Sequence, residues 1–154
     1  MRWSSPGPLW RAGFRPYGYR GSAGEHAGMP PAELIALATK LAGAFVPSER
    51  CRAGDVAAAL VTTAGNLYTG ICLDTDCSLG FCAEHAAIAE MLKARESEIR
   101  LIVAVDANRG IVAPCGRCRE LMWQVSASNA ATGVIVAADT VVPLRELLPR
   151  PWRS

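Results

Sequence analysis

No stretch of this 154-residue chain reaches the roughly 18 uninterrupted apolar residues of a membrane-crossing helix, so no membrane partner is expected. Residues 1–28 also lack the apolar run of about 7–15 residues that an export signal needs. The default compartment is then cytoplasmic and reducing, where six cysteines are expected as free thiols or metal ligands rather than disulfides. Strong charge of either sign is missing too: 16 Lys+Arg against 14 Asp+Glu leave a formal net charge of +2. Four Arg and one Glu of that balance lie in residues 1–28, and the other 126 residues hold 12 basic against 13 acidic groups. A near-neutral folded part has no footprint for a phosphate backbone, so no nucleic-acid partner is expected.

What is present reads as one globular domain, with 51% hydrophobic and 19% charged residues. Residues 1–28 carry three Pro and six Gly, which break any amphipathic helix, and they read as a disordered extension with Met29 as an alternative start. Residues 29–154 form the domain. Pro30-Pro31 ahead of Leu34, Ile35, Ala38, Leu41 and Ala42 predicts an amphipathic helix with proline where helices tolerate it. VAAALVTT (56–63) and NLYTGIC (66–72), separated at Ala64-Gly65-Asn66, predict a hairpin. Ile88, Met91 and Leu92 mark a helix over 82–95. IRLIVAV (99–105) and GVIVAA (133–138) read as buried strands, RELMWQV (119–125) and PLRELL (143–148) as helices. This order predicts an α/β fold: a mixed sheet sandwiched between helices, with parallel strands joined by crossovers.

Three thiols and one carboxylate stand where helices begin. Cys82 opens the helix over 82–95, and Cys115 and Cys118 lie at the start of the next, in APCGRCRE. Helix N-termini carry unpaired N–H groups and partial positive charge, which favour thiolates, the form that binds metal. Both helices are read as following neighbouring parallel strands, so their first turns face one another; three sulfurs converging on one ion leave a fourth position open, as in catalytic rather than structural zinc sites. Glu84, two residues after Cys82, is placed to accept and return a proton beside such an ion.

Cys82-Ala83-Glu84 followed by Pro114-Cys115-x-x-Cys118 matches a known zinc-deaminase signature. With VAAALVTTAGNLYTG, CAEHAAIAEML, RGIVAPCGRCRE and LRELLPRPW, residues 30–152 resemble the cytidine deaminase family in its small all-cysteine form, and blasticidin-S deaminase. The resemblance implies a three-layer α-β-α fold with a five-stranded sheet. It implies zinc on Cys82, Cys115 and Cys118, Glu84 as proton shuttle, and backbone near Ala83 against the pyrimidine of a nucleoside substrate. It further implies a homotetramer whose sites borrow residues from neighbours.

The chain departs from the family pattern where the sugar is held. After Gly70 the family's Asn-x-Glu is replaced by Cys72 and Asp74, and ERCRAGDV lacks the pocket-lining Phe. The residue after the catalytic Glu, commonly Arg, is His85. Three thiolates on a divalent ion leave net negative charge, which Arg119 or a protonated His85 is expected to offset by hydrogen-bonding a sulfur. Plainer readings stand beside these. The Cys115–Cys118 pair also fits redox chemistry; Cys72 and Cys77 fit small core fillers, a disulfide or a fourth ligand; Cys51 fits an incidental thiol. Asp74 fits a turn residue, and the Trp and Arg residues of the extension fit stacking on single-stranded nucleic acid.

Overall fold

The computed structural model describes residues 24–152. Most of the extension expected over 1–28 therefore lies outside the described residues. Its last five residues turn back on the domain, where His26 N–H donates to Gly65 O at 3.0 Å.

Helix α1 (Pro31–Leu41) starts on extended Pro30 with Pro31 in its first turn, and it buries Leu34 and Ala38. A sheet follows from β1 (Phe45–Ser48), β2 (Cys51–Thr62), β3 (Leu67–Thr75) and β4 (Gly80–Phe81). Helix α2 (Ala83–Lys93), β5 (Ile99–Asp106) and α3 (Gly116–Val125) come next. A 3-10 turn, β6 (Gly133–Ala137), β7 (Thr140–Pro143) and α4 (Leu144–Leu147) complete the chain. The sheet order is β4-β3-β2-β5-β6-β7, with β1 beside the start of β2.

Period-two alternation gives the sheet two apolar faces. Ala59 and Val61 of β2, with Leu101, Val103 and Val105 of β5, pack under Leu34 and Ala38 of α1. Ala58, Leu60, Ile102 and Ala104 point the other way, against Ala87, Ile88, Met91, Met122 and Leu144 from α2, α3 and α4. Each large side chain buried this way contributes roughly 1.5–3 kcal/mol. The expected α/β three-layer architecture with helices on both faces is what is observed, with seven strands in place of five. Three of the seven are short and marginal. All four residues of β1 are exposed, β4 has two residues, and β7 pairs only with β6.

One expectation about topology is corrected. The helices carrying the thiols do not follow neighbouring parallel strands. β5 and β6 are the only parallel pair among the described residues. β3 and β5 are both antiparallel to the β2 strand between them, so they end at the same edge. From there β4 leads into α2, and a returning loop leads into α3. That loop folds back along its own strand, with Val112 N–H donating to Ala104 O at 2.9 Å.

Candidate active site

Helix α2 sits unusually close to the sheet because Gly70 of β3 has no side chain. A Cβ there would collide with Ala87 N and lie 2.6 Å from Ala83 O. The contact seats the first turns of α2, with Cys82 as N-cap and Glu84 in the first turn. Cys115 caps α3 in the same way, and Cys118 is buried in the first turn of that helix. Asn129 anchors the far end of α3. Its side chain donates to Met122 O at 2.9 Å and accepts from Ile99 N–H at 2.8 Å, tying the helix to β5.

The two helix starts bring three sulfurs together. Cys82 Sγ lies 3.8 Å from Cys115 Sγ, which lies 3.5 Å from Cys118 Sγ, and all three fall within 4.8 Å of one another. A tetrahedral zinc with Zn–S of about 2.3 Å requires sulfurs about 3.8 Å apart, so donor set and spacing both suit this ion. Burial opposes ionisation of Cys115. The backbone groups of Cys118 and Arg117, with the neighbouring thiols, overcome it and hold its pKa below the ordinary thiol value. Cys118 moves the opposite way: burial, then the nearby Glu84 charge, push its pKa up. A buried thiol that resists ionisation alone is one that a cation must deprotonate.

Beside the sulfurs opens a cleft of about 500 Å³ whose lining includes Cys82, Ala83, Glu84 and Cys115 from the helix starts and Asp55, Cys72 and Asp74 from the strands. Its size suits a small organic ligand. Glu84 is only 5% exposed, held at the cleft floor. The residues picked out for zinc, proton transfer and substrate contact thus meet at one place. Cys72 is already engaged, its sulfur accepting from Val56 N–H at 3.2 Å. Cys72 and Cys77 are free thiols, as is Cys51.

No hydrogen bond joins Arg119 or His85 to a sulfur among the described residues. Arg119 Nε donates to Pro114 O at 2.7 Å and Nη1 to Leu147 O at 3.1 Å, so it clamps the loop before Cys115 to α4. His85 Nε2 is buried with no hydrogen-bond partner among the described residues. Burial first, then the positive charge of Arg117, hold its pKa below the usual value, so the neutral ring is favoured. The guanidinium beside the ligands belongs to Arg117, whose Nη2 lies 3.7 Å from Cys82 Sγ. Sequence reasoning passed over it, although it stands between two ligand cysteines.

A family model, the cytidine and deoxycytidylate deaminase zinc-binding region, matches residues 30–134. The chain belongs to this family. Zinc is the ion of the matched region and the ion that the three sulfurs fit. A cytidine deaminase of Mycobacterium tuberculosis is 33% identical over 89 residues, which are 57% of this chain and 65% of that protein. The crystal structure of cytidine deaminase from the same organism superposes with a TM-score of 0.64 at 27% identity, covering 79% of this chain and 95% of that one. A cytidine deaminase structure from Burkholderia pseudomallei gives a TM-score of 0.59 at 28% identity, covering 79% and 95%.

Proposed function

We propose that this protein is a zinc-dependent aminohydrolase that removes the exocyclic amine of a cytosine-like nucleoside as ammonia. The observation that carries the reading is the placement of buried Glu84 at the floor of a ligand-sized cleft, beside three sulfurs that suit one zinc. Cys82, Cys115 and Cys118 would hold a zinc ion, which would supply a Lewis acid that lowers the pKa of water towards neutrality. Glu84 takes a proton from the attacking water as the water oxygen bonds to the amine-bearing ring carbon. It delivers a proton to the adjacent ring nitrogen, and a second transfer to the amine lets ammonia leave with a carbonyl in its place. Low exposure suits this role, because Glu84 is shielded from bulk exchange between receiving and returning the proton.

The cleft favours a nucleoside over a nucleotide. Asp55, Asp74 and Glu84 line it, against one cationic lining side chain among the described residues, Arg117, whose Nη2 contacts Cys82 Sγ. A phosphate monoester would meet three carboxylates against one guanidinium. The replacement of the sugar-holding pair by Cys72 and Asp74 supports a second substrate class with the same reacting ring, of which blasticidin S is the model. Assembly into a homotetramer is supported by exposed apolar side chains, Phe81 and Val112 lining the cleft and Leu79 two residues before Phe81. A cytoplasmic setting is consistent with free thiols at the site. Among the described residues no helix is long and apolar enough to cross a membrane.

Ammonia release from metal-quantified protein tests the reading, with cytidine, deoxycytidine, deoxycytidylate, blasticidin S and guanosine as substrates. Release is expected from an unphosphorylated cytosine compound and not from deoxycytidylate. Zinc bound at one per chain with no ammonia from any of the five would leave only a zinc-stabilised domain.

A further inference from the structure

Strand β2 changes register where it meets the cleft. Ala53 pairs with Leu73 and Ala57 with Ile71, so β2 takes four steps where β3 takes two. The surplus is a bulge, a device that re-aims side chains at sites. Gly54 makes it possible: φ is +81°, and a Cβ there would collide with the carbonyl oxygen of Gly43. The bulge is pinned on its other side by Ala107 N–H, which donates to Asp55 O at 2.8 Å.

Two consequences reach the cleft together. Val56 N–H, freed from the regular ladder, goes to Cys72 Sγ, so the thiol in the sugar-holding register is occupied by backbone. Asp55, like Asp74, is a lining residue of the cleft. Its carboxylate is braced by Arg52, whose Nε and Nη2 donate to Oδ2 at 2.6 Å and Oδ1 at 2.5 Å. Arg52 is also the cross-strand partner of Asp74. An ionised carboxylate offers about four lone-pair sites and the guanidinium fork uses one on each oxygen, so Asp55 keeps accepting capacity towards the cleft.

We infer that Asp55 is a specificity-determining residue, receiving with Asp74 the hydrogen-bond donors at the non-reacting end of the substrate. This deepens the nucleoside reading and rests on it. Acceptor-only groups at that end select hydroxyl or ammonium donors and turn away anions. Arg52 acts as a positioning residue that holds the carboxylate in place and tempers its charge.

The test is calorimetric binding to zinc-loaded protein carrying Glu84→Gln, which separates binding from turnover. The probes are cytidine, its 5′-amino-5′-deoxy derivative and its 5′-phosphate. The ammonium compound is expected to bind tightest and the phosphate weakest. Asp55→Asn should shrink the ammonium-over-phosphate preference about tenfold, whereas Arg52→Gln should enlarge it about threefold, charge acting in opposite senses. An ion pair serving only the fold would move both variants the same way, or neither, and that result overturns the assignment while leaving the nucleoside reading intact. Failure of all three probes to bind, even before Asp55 is changed, overturns that reading and the assignment with it.

Discussion

Cys82, Cys115 and Cys118 stand at the first turns of two helices, whereas Asp55, Cys72 and Asp74, which line the adjoining cleft, stand on paired strands. The sulfur end is built from short-range spacing, in which two residues separate Cys115 from Cys118 and one separates Cys82 from Glu84. The strand end is built from long-range pairing, a bulge and a loop contact from Ala107. Chemistry is therefore concentrated where local geometry is stiff. Discrimination between substrates lies where one change of register re-aims several side chains at once.

The largest expected effect separates these ends cleanly. Glu84→Gln should lower turnover about 10³-fold, as loss of a general acid–base does, with zinc content and ligand binding retained. Turnover within a factor of ten of wild type would remove the proton shuttle from the sulfur end. Stripping zinc should come next. With free zinc a hundredfold above its Kd, binding adds about 2.7 kcal/mol to stability, so a chelator should lower the melting temperature visibly. An unchanged melt at confirmed metal loss would mean that the sulfur end is not held by its ion.

Gly54→Ala probes the strand end. A residue with a side chain at that positive φ costs about 1–3 kcal/mol, and loss of the bulge should raise KM with kcat nearly constant. A fall in kcat alone would tie the bulge to chemistry rather than recognition. The smallest effect contrasts the two arginines next to Cys118. Arg117→Gln should weaken zinc binding about tenfold through the sulfur it contacts. Arg119→Gln should instead lower thermal stability, because two carbonyl clamps are lost. Competition with a chromophoric chelator reads the first and calorimetric melting the second; a reversed pattern would interchange their assignments.

Much of this architecture was legible in the residue order. The continuous run at 99–105 and the helical stripe of α1 announced elements that are buried, and burial imposes pattern. Strands β1, β4 and β7 carry little such pattern, because backbone pairing at an edge leaves side chains in water, as at β1. Arg119 drew attention as the neighbour of a ligand, yet Arg117 reaches the sulfur. Residues two apart on a helix point about 200° away from each other, and which faces α2 depends on how the helices pack. The Asp55 carboxylate carried no signal at all, since its direction depends on a two-step surplus against β3.

Residue order alone determined the candidate donor set: thiols at helix starts and a carboxylate in a first turn are set by positions a few bonds apart. Only the folded chain decided which charges face the substrate, because Val56 meets Cys72, Ala107 meets Asp55 and Arg117 meets Cys82 across separate elements. Contacts of that kind are fixed by packing and register, and neither is a local property of the chain.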